Sequence, residues 1–120
     1  MIKDYYHAIK DSVDSLGIIT DDKILTGFSG HRMVRLLQNV AKLRLDENTC
    51  YVEVGVFQGL TLLSVAKVLD KAEVYGIDNF AFFDKAGKNL SIVNERTQKL
   101  NLNNVNIVNE DYEDALENLK

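Results

Sequence analysis

The sequence predicts an α/β fold: the first half of a doubly wound parallel sheet, with three strands, preceded by two helices. Apolar, β-rich stretches alternate with stretches of helical periodicity across residues 49–120. Glycines follow the first strand, where the chain turns into a helix, and acidic residues follow the second and third strands. This alternation implies parallel strands joined by right-handed crossovers.

Two helices are predicted in residues 1–45. Apolar residues recur at helical spacing over residues 2–16, and Gly17 follows as a stop signal. Residues 18–28 are interpreted as a connecting loop, and Ser29 is placed to cap the second helix. The apolar face of that helix consists of Met33, Leu36, Leu37 and Val40.

The half-sheet is predicted over residues 49–120. Its first strand, CYVEVGVF at 50–57, is apolar enough to be buried on both faces, with Cys50 as a small core residue. The elements that follow are the helix GLTLLSVAKVLD, the strand AEVYGID, a helix over 86–100 with Leu90, Val93 and Leu100 on its apolar stripe, the strand NVNIVNE and the helix DYEDALENLK.

Length and composition indicate one globular domain. Of the 120 residues, 46% are apolar and 27% are charged. The formal net charge is -4 and no long basic patch is present, which argues against a nucleic-acid partner. No run approaches the roughly 18 apolar residues of a membrane span, and the N-terminus lacks the apolar region of a signal peptide. A cytoplasmic protein without a membrane partner is therefore expected.

Candidate ligand-binding residues gather at the carboxyl ends of the strands, where doubly wound sheets bind ligands. Gly55 and Gly59 frame the turn after strand one, and the turn opens a helix whose N–H groups favour an anion. Asp78 follows 19 residues after Gly59, where an acid can accept both hydroxyls of a ribose. Asp111 ends strand three, where it can meet an adenine amino group. Together these residues predict a nucleoside-containing ligand.

Glu53 separates two classes of nucleoside cofactor. Dinucleotide sites use G-x-G-x-x-G, but this turn is G-V-F-Q-G, with Phe57 where a middle glycine would stand. A dinucleotide also brings a pyrophosphate, which Glu53 would repel. S-adenosylmethionine carries a sulfonium and an ammonium instead, so a carboxylate near the turn favours it, either directly or through the shape of the loop.

The stretch YVEVGVFQGLTLLSVAKVL, followed by VYGIDN, resembles the first motif and the next acidic strand end of class I S-adenosylmethionine-dependent methyltransferases. It is most similar to small-molecule O-methyltransferases with the motif E-[IV]-G-[VT]-[FYW]-x-G-x-[ST], of the caffeoyl-CoA and macrocin or cephalosporin-cluster types. The resemblance covers roughly residues 25–118. It implies a Rossmann-like fold, S-adenosyl-L-methionine as cofactor and a small-molecule methyl acceptor.

The resemblance also implies roles for individual residues. Thr61 matches the Ser/Thr that opens the helix, Asp78 the ribose-binding acid and Asp111 the acid near adenine, and Gly30 would lie close to the methionine moiety. His31 is interpreted as a solvated early-helix residue, and no catalytic residue or metal ligand is assigned. The expected cofactor-binding set is Gly30, Glu53, Gly55, Val56, Phe57, Gly59, Thr61, Asp78, Asn79 and Asp111.

The candidate acids and aromatic residues also have purely structural interpretations. Glu53 can pair with a Lys or Arg on the sheet rim, and Asp78 and Asp111 can each cap a following helix. The stretch AFFDKAG, together with Phe80, is either a lid over the cofactor or plain packing. A nicotinamide-binding oxidoreductase domain and a non-catalytic nucleoside-binding or assembly module remain the alternative functions.

Methyltransferases of this class have seven strands, whereas three are expected here. The chain is therefore interpreted as a single, truncated S-adenosylmethionine-binding domain that has no methyltransferase activity alone. Strand one is expected to pair with strand two on one side and to leave its other edge open. Because an open edge is a template for association, residues 50–57 are expected to be covered by a missing half or by a second copy of the chain.

Overall fold

The structure, a computed structural model, describes residues 1–14 and 23–119. The three strands are parallel and lie in the order β1-β2-β3. The predicted α/β class, with two helices ahead of a three-stranded half-sheet, is confirmed. The elements are α1 (Ile2–Val13), α2 (His31–Arg44), β1 (Cys50–Val54), α3 (Leu60–Lys67), β2 (Glu73–Ile77), α4 (Asn89–Lys99), β3 (Val105–Val108) and α5 (Tyr112–Asn118).

One face of the sheet carries the hydrophobic core. The register aligns Tyr51 with Val74 and Val74 with Val105, so these side chains point to the same side. Helices α2, α3 and α4 pack against that side. The buried core there consists of Ala41, Val56, Leu62, Val65, Ala66, Leu69, Ala72, Val74 and Val93.

The prediction that β1 is buried on both faces is wrong. Val52 and Val54 are 40% and 52% exposed, whereas Tyr51 and Glu53 are partly buried. Cys50 is exposed and is not a core residue. The reason is that the core lies on the Tyr51 face, and within the described part of the chain β1 pairs with β2 alone.

Gly76, in the middle of β2, lets α3 approach the sheet closely. A Cβ atom at this position would lie 2.5 Å from Leu62 Cδ2 and 2.7 Å from Val56 Cγ2, well inside the separation of packed carbon atoms. Leu62 is completely buried and Val56 is 3% exposed. The glycine therefore sets the spacing between β2, α3 and the loop after β1.

Helix α1 forms as predicted through Val13, while its predicted end at Leu16 and Gly17 lies outside the described residues. Its buried contacts with α2 are made by small side chains, whereas most of its large apolar residues are exposed. Ala8 and Ser12 are buried, and the Asn39 amide of α2 donates to the Ala8 carbonyl oxygen and to Ser12 Oγ.

Helix α2 is rotated relative to the prediction. Its N-cap is Gly30, without a side-chain cap bond, so Ser29 is not the cap. The predicted face is only partly buried, and Met33 is 50% exposed. Val34, Gln38 and Ala41 face inward instead. The polar Gln38 can be buried there because its amide donates to the Ser64 carbonyl oxygen of α3 at 2.8 Å.

Candidate functional site

The loop from β1 to α3 turns through left-handed backbone conformations. Gly55 and Gly59 have φ angles of 88° and 87°, which glycine adopts without strain. The Gly55 N–H donates to the Ile77 carbonyl oxygen, and the Gly59 N–H to the Val56 carbonyl oxygen, both at 2.9 Å. Phe57 also has a positive φ, 53°, which is costly for a residue with a side chain. The loop is therefore held in a shape that Phe57 does not favour.

Asp78, directly after β2, accepts three backbone hydrogen bonds. Its Oδ2 accepts from the Val56 N–H at 2.9 Å and from the Phe57 N–H at 3.0 Å. Its Oδ1 accepts from the Phe80 N–H at 2.8 Å. The carboxylate thus ties the glycine loop to the end of β2. The helix that Asp78 would cap is absent, since residues 79–88 form loops and turns.

These bonds limit what Asp78 can offer a ligand. A carboxylate has about four lone-pair sites, and three are used by the N–H groups of Val56, Phe57 and Phe80. The capacity that remains suits about one more donor. The prediction that Asp78 accepts both hydroxyls of a ribose would need one more lone pair than these three bonds leave free.

Glu53 meets groups of the protein itself. Its Oε1 accepts from the Tyr51 hydroxyl at 3.0 Å and its Oε2 from the Thr61 hydroxyl at 2.9 Å. It also accepts from the Leu62 backbone N–H in the first turn of α3. Because the N-cap Gly59 has no side chain, Glu53 satisfies α3 from the neighbouring strand. The predicted pairing with a Lys or Arg is not what holds it.

Burial raises the pKa of Glu53 above its ordinary value, and its hydrogen bonds to Thr61, Tyr51 and Leu62 oppose that rise. Burial also raises the pKa of Tyr51, and the neighbouring Glu53 adds to the effect. A protonated tyrosine is therefore available as a donor to Glu53 at neutral pH. These contacts favour a role for Glu53 in shaping the loop.

An open cavity of about 500 Å³ lies at the carboxyl ends of β1 and β2. Four phenylalanines line most of it, and the rings of Phe28 and Phe57 lie 5.2 Å apart at 31°. Three of the four side chains are largely exposed: Phe28, Phe82 and Phe83, at 91%, 75% and 87%. The lining residues are Phe28, Gly55, Phe57, Asp78, Phe82 and Phe83.

A smaller cavity of about 160 Å³ shares Phe28, Gly55 and Phe57 with the larger one and adds Val56 and Thr61 to the lining. The structure therefore brings six predicted residues together around one loop: two that line both cavities, two that line the smaller one, and two that hold the loop in shape, the second of which also lines the larger cavity. In that order they are Gly55 and Phe57, Val56 and Thr61, and Gly59 and Asp78.

Three predicted residues lie elsewhere. Gly30 is the N-cap of α2 and lines neither cavity. Asn79 is exposed and accepts from the Ala81 N–H at 3.0 Å. Asp111 is exposed and caps α5 by accepting from the Glu113 N–H at 3.1 Å, so it has the structural role that was the alternative to ligand binding. His31 is exposed at the first position of α2.

Phe28 is the residue that sequence reasoning missed, because residues 18–28 were interpreted only as a connection. The signal available was an aromatic residue between Gly27 and Ser29-Gly30, in a stretch too short for a core element. Within residues 1–14 and 23–119, no three His, Cys, Asp or Glu side chains are grouped to hold a metal ion. No helix in those ranges is long and apolar enough to cross a membrane.

Comparisons with known proteins found similar structures but no similar sequence. No protein-family profile matches the chain, and no curated protein sequence is a significant match. Solved structures do match, and they have the Rossmann-like methyltransferase fold, of which this chain has the first part.

One match is an O-methyltransferase from Bacillus cereus in complex with S-adenosylhomocysteine, with a TM-score of 0.63 and 13% identity. The alignment covers 98% of this chain and 47% of that chain. Another is coclaurine N-methyltransferase bound to N-methylheliamine and S-adenosylhomocysteine, with a TM-score of 0.53 and 16% identity. It covers 92% of this chain and 36% of that chain. The chain thus spans less than half the length of each of these enzymes.

Proposed function

We propose that this chain is the cofactor-binding half of a class I S-adenosylmethionine-dependent methyltransferase. The observation that carries the proposal is the Asp78 carboxylate, bonded to the Val56 and Phe57 amides beside the aromatic cavity. The methyltransferase fold and two structural neighbours that were crystallised with S-adenosylhomocysteine support it.

The cavity fits such a cofactor in size and chemistry. Its volume of about 500 Å³ lies within the usual range for small-molecule sites, and its walls are mainly aromatic. The lone pair left on Asp78 suits one ribose hydroxyl. Aromatic faces suit a purine base and attract a sulfonium cation. The bound cofactor would supply the methyl group, and the residues of this chain would hold and orient it.

The proposed acceptor is the oxygen of a small molecule, on the strength of the E-V-G-V-F-Q-G-L-T motif over residues 53–61. Gly30, Asn79 and Asp111 stay in the proposed cofactor-binding set as outer contacts. A nicotinamide cofactor fits less well, because the Val56 and Phe57 amides that could hold a pyrophosphate are directed at Asp78. The exposed free thiol of Cys50 suits the proposed cytoplasmic location.

Calorimetry with the 120-residue chain tests the proposal. S-adenosylmethionine and S-adenosylhomocysteine are expected to bind, with micromolar or weaker affinity, because only the cofactor half of the site is present. NADH is expected not to bind. No methyl transfer by this chain alone is expected. Binding of NADH without S-adenosylmethionine would overturn the assignment, and binding of neither would leave an assembly module as the better description.

We also propose that the open edge of β1 is covered in the working protein, by further strands or by a second copy of the chain. Val52 and Val54 leave apolar surface exposed beside backbone groups that have no strand partner among residues 1–14 and 23–119. Sedimentation of the 120-residue chain is expected to reveal concentration-dependent self-association, which Val52→Lys should weaken. Tyr6→Lys, on α1 and also exposed, is the control. A soluble monomer at high concentration, in which the amides of residues 50–57 exchange fast, would contradict the proposal.

A further inference from the structure

Arg96 of α4 connects two loops that are distant in sequence. Its Nη1 donates to the Gln58 carbonyl oxygen at 2.8 Å and to the Thr26 carbonyl oxygen at 3.1 Å. Its Nη2 donates to the Thr26 hydroxyl at 2.8 Å. The planar guanidinium thus holds the segment before α2 against the glycine loop, a geometry that a lysine ammonium cannot reproduce.

Asn89, two turns earlier on α4, makes the matching connection on the other side of the cavity. Its Oδ1 accepts from Gln58 Nε2 at 3.0 Å, and its Nδ2 donates to the Phe83 carbonyl oxygen at 3.1 Å. Asn89 is only 4% exposed, so these bonds are shielded from water. Gln58 is therefore contacted twice by α4, through its side chain and through its carbonyl oxygen.

The three loops joined in this way each bring aromatic side chains to the cavity. The Thr26 segment brings Phe28, the Gln58 loop brings Phe57, and the Phe83 segment brings Phe82 and Phe83. Phe57 and Phe83 have φ angles of 53° and 55°, so both loops need support from outside to stay in place. Helix α4 itself contributes no lining residue to this cavity.

We infer that Arg96 is a positioning residue for the cofactor site: by binding Thr26 and Gln58 together it holds the ring of Phe28 beside that of Phe57 at one wall of the cavity. The identity of the ligand in this inference rests on the proposed function. The placement of Phe28 by Arg96 does not. Burial lowers the pKa of Arg96, and the neighbouring Glu95 opposes this, so the side chain is partly withdrawn from solvent.

A double-mutant cycle between Arg96 and Phe28 tests how Arg96 acts. Arg96→Ala and Phe28→Ala are each expected to weaken S-adenosylhomocysteine binding about tenfold, and the double variant no more than about twofold further. Arg96→Lys is expected not to restore affinity. The matched control is Lys99→Ala, which removes an exposed ion pair with Glu95 on the same helix and should leave affinity unchanged. Losses that multiply to about a hundredfold would overturn the inference.

A second measurement needs no cofactor. Phe28 is replaced by 4-fluorophenylalanine, and its ¹⁹F signal reports the Phe57 ring beside it. The signal is expected to lose the ring-current shift from Phe57 in Arg96→Ala and to stay in place in Lys99→Ala, with amide spectra of β1 to β3 verifying the fold. If the signal does not move, Arg96 does not place Phe28, whatever the chain binds. If the wild type binds no S-adenosylhomocysteine but the signal moves, only the proposed function fails.

Discussion

Replacing Asp78 by alanine is expected to weaken S-adenosylhomocysteine binding by on the order of 2 to 4 kcal/mol, roughly 30- to 700-fold. The variant would lose the proposed ribose contact and would also free the Val56 and Phe57 amides that shape the loop. Val56 is 3% exposed, and a buried N–H without a partner costs about 1 to 3 kcal/mol. Urea unfolding should therefore record a loss of stability alongside the loss of affinity by calorimetry.

The control is Asp46→Ala, because Asp46 also accepts from a backbone N–H, that of Asn48, in an exposed turn away from the cavity. It should lose little affinity. A variant of Asp78 that loses affinity but keeps the stability of the wild type would mean that Asp78 serves the ligand alone and that the loop holds its own shape.

Replacing Gly76 by alanine is expected to destabilise the chain by about 1 to 3 kcal/mol, and by valine more, because the added carbon overlaps Leu62 and Val56. For a domain of this size the melting temperature should fall by about 4 °C per kcal/mol. Displacing Val56 also moves the glycine loop, so affinity for S-adenosylhomocysteine should fall in step. Thermal unfolding followed by circular dichroism measures the first effect and calorimetry the second.

Gly30→Ala is the matched control, since a Cβ there meets nothing within 4 Å and the φ angle is an ordinary -76°. It should melt close to the wild type and lose at most about 0.5 kcal/mol, because alanine is a poorer N-cap than glycine. If Gly76→Ala also melts with the wild type, Leu62 and Val56 repack freely and the close approach of α3 to β2 is not a constraint.

The order of the elements was predictable because periodicity reports local structure well. The strand after Cys50, the helix after Gly59 and the strand ending before Asp78 all lie where the apolar pattern indicated. The burial of each face was less predictable. A continuous apolar run in β1 indicates two covered faces, but which face is covered depends on where α2, α3 and α4 pack, and Val54 is left exposed.

The residues of the candidate site also differ in how far the sequence could predict them. Gly55 and Gly59 were predictable because a left-handed turn demands glycine at those positions. The contact of Glu53 with Thr61 was not, because the two residues meet only once β1 and α3 are placed side by side. Arg96 had no local signal either, since its contacts with Thr26 and Gln58 span 70 and 38 residues of chain.

The spatial order of the strands repeats their order along the chain, and this bears on how the sheet assembles. β2 can pair with β1, and β3 with β2, as soon as the intervening crossover has been synthesised. Each strand therefore pairs with the one that precedes it in the sequence. The entropy of closing each loop rises only slowly with its length, so the crossover before β3 costs little more than the one before β2. The half-sheet can therefore grow outward from β1 in the direction of synthesis, at each stage a compact unit with its growing edge at the newest strand.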